Sequence, residues 1–86
     1  MGSAKRMRPS RLGEKVFLIR KKLGYSLSEM ARVLSADVVV LRKQDISRFE
    51  KGSREPNLIT VLGYSRLVDI QMEVLVDDQL DLPKDF

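Results

Sequence analysis

The chain has 86 residues, 43% apolar and 33% charged, with a formal net charge of +4. That length suits one globular domain and leaves no room for a substrate domain beside a regulatory one. Cys and His are both missing, which excludes a disulfide framework, thiolate or imidazole metal sites, and Cys- or His-based catalysis.

The basic stretch Met1–Ser10 is not followed by an apolar segment of signal-peptide type, and no apolar run approaches the ~18 residues of a membrane span. The expectation is a soluble, cytoplasmic protein with no membrane partner. In chain order, residues 1–10 combine Lys5, Arg6 and Arg8 with Gly2, Ser3 and Pro9 and show no apolar periodicity. They predict a flexible basic arm. Leu12, Val16, Ile19 and Leu23 then step by helical spacing, with Ser10 as the expected N-cap and Gly24 as the stop. Ser26-Leu27-Ser28-Glu29 is a capping box that opens a second, short helix. Its inward residues would be Leu27, Met30, Ala31 and Leu34.

Ser35–Leu41 is ambiguous. Val38-Val39-Val40-Leu41 reads locally as a strand, but no partner strand exists elsewhere in the chain. The expectation is a loop whose valines fold back on the core. A third helix follows over about 42–50, with Ile46 and Phe49 inward and Gly52 just past its end. Asn57 caps a fourth helix, whose apolar stripe would be Leu58, Val61, Leu62, Ser65 and Val68. A fifth, short helix takes Met72, Leu75 and Val76. Residues 77–86 are acidic, broken by Pro83, and predict a tail.

Charge divides along this plan. Residues 1–54 hold 14 Lys/Arg against 5 Asp/Glu, and residues 55–86 hold 2 against 7. A basic body with an acidic end predicts one face that meets a polyanion.

Two blocks of residues narrow this further. The first is Leu12-Gly13-Glu14-Lys15 through Ile19-Arg20, Lys22-Leu23-Gly24-Tyr25-Ser26 and Ser28-Glu29-Met30-Ala31. The second is Ile46-Ser47-Arg48-Phe49-Glu50-Lys51-Gly52, then Arg54-Glu55-Pro56-Asn57-Leu58. Together they resemble the phage-repressor-like helix-turn-helix family of the XRE, or Cro/cI, type, over about residues 11–76. The resemblance implies an all-α, compact five-helix, lambda-repressor-like domain with an enlarged turn between helices 2 and 3. That turn is about five residues longer than the family's usual one. Leu27 stands where the family commonly has Gln, and the third helix has no Ser or Thr N-cap.

If Ile46 and Phe49 face inward, Lys43, Gln44, Ser47 and Arg48 share the outer face of the third helix. Arg suits guanine, Gln suits adenine, and Ser can serve either, so these four are the expected base readers, Gln44 and Arg48 foremost. Asp45, on the flank, must either accept from cytosine or cap locally. Expected phosphate contacts are Ser26 at the second helix's N-terminus, Lys51, Ser53 and Arg54 after the third helix, and Arg11. The resemblance also implies a structural ion pair between Arg20 and Glu50.

The expected function is a double-stranded DNA-binding transcriptional regulator, a repressor by the resemblance, working as a homodimer on a palindrome. The fifth helix would supply the dimer surface or else belong to the core. The competing expectation is an antitoxin-like or adaptor protein that docks a protein partner through its acidic tail or the Val38–Leu41 bulge. No cofactor, metal site or catalytic group is expected, because the remaining carboxylates form no nucleophile, phosphate-loop or metal arrangement.

Overall fold

The structure, a computed structural model, describes residues 9–35 and 40–86. Five helices run in chain order: α1 (Leu12–Leu23), α2 (Leu27–Leu34), α3 (Lys43–Lys51), α4 (Leu58–Leu67) and α5 (Met72–Val76). The described residues contain no strand. α1 and α2 both pack on α3, while α4 and α5 pack on each other and close the core from the far side. None of these helices is long and apolar enough to cross a membrane.

α1 buries Leu12, Val16 and Ile19 and ends at Gly24, whose φ of 75° is the left-handed conformation that glycine adopts without a side-chain penalty. Its start is not capped as the sequence suggests. Ser10 lies two residues before the helix and does not cap it. Instead the amides of Ser10 and Arg11 donate to the carboxylate of Asp78, at 2.9 and 3.0 Å. The Ser10 hydroxyl donates to the same carboxylate at 2.8 Å. A side chain from the opposite end of the chain thus satisfies donors that a local cap would leave to water.

α2 opens with the full capping box: Glu29 N donates to Ser26 Oγ at 3.0 Å, and Ser26 N donates to Glu29 Oε1 at 2.8 Å. Met30, Ala31 and Leu34 are buried, and Leu27 packs partly buried against them.

The enlarged turn is closed at its base. Ser35 Oγ donates to Ala31 O at 2.7 Å and accepts from Leu41 N at 3.0 Å. Leu41 packs against the core, whereas Val40 is 79% exposed. The expectation that the valines fold inward therefore fails at Val40: the core beneath is already filled by Leu34, Ile46 and Phe49. Val38 and Val39 lie outside the described residues.

α3 begins one residue later than expected. Asp45 supplies the missing cap from inside the helix, accepting from Arg42 N at 2.9 Å. Gly52 ends the helix at φ 78°.

α4 is capped by Asn57, whose Oδ1 accepts from Thr60 N at 2.8 Å. Its buried face is Thr60, Val61, Tyr64 and Ser65, so the expected stripe holds at Val61 and Ser65, with Leu62 and Val68 half-buried, and fails at Leu58. Leu58 is 66% exposed. At about 100° per residue it falls roughly a quarter-turn off the buried face, and no earlier turn of helix covers it. In α5, Leu75 is fully buried and Met72 packs on the core, while Val76 is exposed.

Beyond α5 the acidic segment folds back along α1. Leu82 and Phe86 pack against the core, and Lys22 Nζ sits 5.9 Å from the Phe86 ring centre. Lys15, only 1% exposed, donates to the carbonyls of Val74, Asp77 and Leu80 at 2.8, 2.9 and 2.7 Å. This segment, 77–86, straps the end of the fold to its beginning.

Candidate nucleic-acid interface

The candidate site is the outer face of α3 and the loop that follows. Ile46 and Phe49, three apart, are buried under α1 and α2 and fix the rotation of the helix. That rotation leaves Lys43, Gln44 and Arg48 exposed and Ser47 half-buried, all on the side away from the core. The four expected base readers therefore share one helix face.

Two contacts set the depth of α3. Gly13 lies where α1 meets the end of α3, so close that a Cβ there would stand 2.8 Å from the carbonyl oxygens of Phe49 and Glu50. About two turns further along α1, Arg20 grips Glu50 with a two-pronged fork, Nε to Oε2 at 2.6 Å and NH2 to Oε1 at 3.0 Å. The third guanidinium nitrogen donates to Tyr25 O at 3.0 Å, tying the α1–α2 corner into the same pair. Both side chains are largely buried, at 15% and 9% exposed. The hydrogen bond to Glu50 pushes the Arg20 pKa above its ordinary value, and burial raises that of the adjacent Tyr64 phenol. Phe17 lies against the other side of the Arg20 guanidinium, 5.6 Å from ring centre to charge.

Asp45 resolves its ambiguity locally. Besides capping α3 it pairs with Arg54, so its charge is neutralised by the loop after the helix. Arg54 is 53% exposed and also lies over the Phe49 ring at 5.8 Å. Lys51 and Ser53 are exposed beside it, and Ser53 N donates to Arg48 O at 3.0 Å, fixing the loop to the helix. Lys51, Gly52 and Arg54 share a cleft of about 300 Å³ with Pro9, Ser10 and Gly13. The root of the basic arm is thus next to the loop after α3.

Ser26 is exposed at the N-terminus of α2, on a separate corner. Its amide and that of Glu29 are occupied by the capping box. The first two amides of the helix, Leu27 and Ser28, have no carbonyl within the helix to donate to. Hydrogen bonds from Ser26 hold the Glu29 carboxyl below its usual range, so it stays charged beside this corner.

Arg11 is placed differently from the expectation. It does not point toward the loop after α3 but is drawn to the acidic strap. Its guanidinium donates to Asp78 O at 2.9 Å and to Asp81 Oδ1 at 2.6 Å, with Glu14 at 3.6 Å. The reason is electrostatic: the acidic end, expected to trail away, packs against α1 and provides the nearest anions.

Three residues that shape the site were not identified from sequence. Lys15 sits among apolar positions of α1, and its charge suggested solvent. Asp78 and Asp81 belong to a segment whose composition suggested a tail. Their partners lie 59 to 70 residues away, so no local pattern marks them.

No protein-family model and no curated protein matches the chain. Among solved structures, it is similar to the P22 c2 repressor protein crystallised in complex with synthetic operator 9T. The TM-score is 0.66 at 22% sequence identity, covering 78% of this chain and 94% of that one. With five helices and no strand among the described residues, and the α2–α3 pair held by α1 and the Arg20–Glu50 fork, the chain has the fold of the phage-repressor-like helix-turn-helix proteins.

Proposed function

We propose that the chain is a sequence-specific double-stranded DNA-binding regulator, acting as a transcriptional repressor. The observation that carries this reading is the exposed polar face of α3, held rigidly by a buried ion pair on its opposite side. Arg48 and Gln44 read base edges in the major groove, with Lys43 and Ser47 beside them. Lys51, Ser53 and Arg54, with the start of α2 at Ser26, contact the backbone and fix register. Repression follows by occlusion: a chain with its bases engaged excludes polymerase from the same groove.

A single reading helix covers one half-site, so the proposal includes a homodimer on a palindrome. Leu75 and Met72 of α5 are committed to the core, which supports placing the dimer surface elsewhere. Leu58 and Ile59, 66% and 51% exposed at the start of α4, adjoin the loop after α3 and take that role. Contact there sets two α3 helices side by side along one duplex.

Selection from a random double-stranded DNA pool at stated salt tests the proposal. The expected result is an enriched palindrome with half-sites about one helical turn, ~34 Å, apart. A folded protein that enriches nothing overturns it. The exposed Val40 would then direct attention to a protein partner.

A further inference from the structure

Arg11, like Arg54 with Asp45, is an expected phosphate contact that the fold turns toward its own carboxylates, and Arg11 alone of the two is held by the acidic strap. Its guanidinium meets Asp78 O and Asp81, while the Asp78 carboxylate takes three donors at the start of α1. A carboxylate collecting backbone amides at a helix start, beside an arginine, uses the same donors a nucleic-acid phosphate would use. Pro9 and Ser10, immediately before Arg11, line the cleft that Lys51 and Arg54 border. The arm root is therefore already at the edge of the proposed DNA face.

The strap has a fixed part and a loose part. Lys15 is buried on three carbonyls, and Leu82 and Phe86 pack on the core. The Arg11–Asp81 pair is on the surface, with side chains 37% and 78% exposed. A pair so exposed is screened by salt and readily exchanged. We infer that the strap is an internal competitor for phosphate: Asp81 holds Arg11 while the protein is free, and Arg11 transfers to the DNA backbone when α3 docks. This rests on the DNA-binding reading above and adds a mechanism to it, in which the protein's own anion lowers its non-specific affinity for DNA.

The test measures log K against log salt on one duplex for four full-length proteins. These are the native chain, Asp81→Asn, Asp85→Asn as a charge-matched control on an exposed residue, and Asp81→Asn combined with Arg11→Ala. Arg11 meets phosphate in both complexes, but only the native chain must first break its pair with Asp81, and salt weakens that pair, so the gain from Asp81→Asn is largest at low salt. The slope for Asp81→Asn is therefore expected to steepen by a sizeable part of ~0.9, the value for a whole contact, or up to about eightfold in affinity across a tenfold range of salt. Asp85→Asn should not steepen it, and the added Arg11→Ala should abolish the gain. Equal slopes for Asp81→Asn and the native chain overturn the inference and leave the DNA reading intact. So does a gain that persists without Arg11, or one matched by Asp85→Asn. Failure of the native chain to bind any duplex at low salt overturns both.

Discussion

Arg20 and Glu50 join α1 to α3 through two parallel hydrogen bonds, 2.6 and 3.0 Å long, largely out of solvent. A pair in that position is costly to break from one side, because the remaining charge stays buried. Arg20→Ala is expected to lower stability by ~3–5 kcal/mol. Lys21→Ala, one residue on and exposed, should cost no more than about 0.5 kcal/mol. Thermal melts of the two variants check this, and equal melting temperatures would remove the pair from its structural role.

Gly13 tests the approach of the same two helices. In an exposed helix interior, Gly→Ala gains up to about 1 kcal/mol. Here the new methyl meets the backbone carbonyls of Phe49 and Glu50 at 2.8 Å, and backbone cannot swing aside. Gly13→Ala is therefore expected to destabilise by ~1–3 kcal/mol, the usual effect of overpacking. Gly63→Ala is the comparison: its methyl would meet only the Leu34 side chain, at 3.1 Å, which can turn away. Denaturant midpoints should place Gly13→Ala well below Gly63→Ala.

Asp78 gives the fold an acid-sensitive point. The amide and hydroxyl of Ser10, then the amide of Arg11, hold its carboxyl below the ordinary value of 3.8. A folded-state pKa below the unfolded one means stability that is fully present above the unfolded value and lost as pH falls through the folded one. The melting-temperature gap between the native chain and Asp78→Asn is thus expected to be widest near pH 6–7. It should begin to narrow below about pH 4 and close only as pH falls through the lower folded-state value. A gap independent of pH would show that the carboxylate's charge does not stabilise the start of α1.

Two further variants separate base reading from backbone contact. Arg48→Ala is expected to weaken the selected site by ~1–3 kcal/mol and to leave random duplex nearly unchanged. Lys51→Ala should weaken both alike and lower the salt slope by about 1. Titrations on the two duplexes at several salt concentrations distinguish them. If Arg48→Ala weakened both duplexes equally, it would be a phosphate contact.

The helices and their ends were legible wherever the signal is local. The Ser26–Glu29 box, the glycines at 24 and 52 and the Asn57 cap each act within one turn of chain, and each appears where its neighbours dictate. Ile46 and Phe49 likewise fix which side of α3 faces out. The start of helix 1 was not legible, because Ser10 does not cap it and the amides just before it, Ser10 and Arg11, donate to the distant Asp78 carboxylate. Leu58 was misplaced because it lies about a quarter-turn off the face that Thr60, Val61, Tyr64 and Ser65 bury. The buried Lys15 was missed because its three acceptors are carbonyls, which carry no residue-type signature. In each case the deciding contact is distant in sequence or made by backbone.

The strap also has a consequence for how the chain becomes a protein. Contacts between residues 10 and 78, and between 15 and 80, close nearly the whole chain into one loop. Such a closure forms late, after the local helices, because the ordering entropy of a long loop precedes any gain from its contacts. During synthesis α1, α2 and α3 emerge long before Asp78 does. Without residues 77–86 the buried Lys15 ammonium keeps Val74 O but loses Asp77 O and Leu80 O, and the amides of Ser10 and Arg11 lose the Asp78 carboxylate. The mount of α3 on α1 therefore draws on residues 77–86, a segment that emerges only after the five described helices have been made.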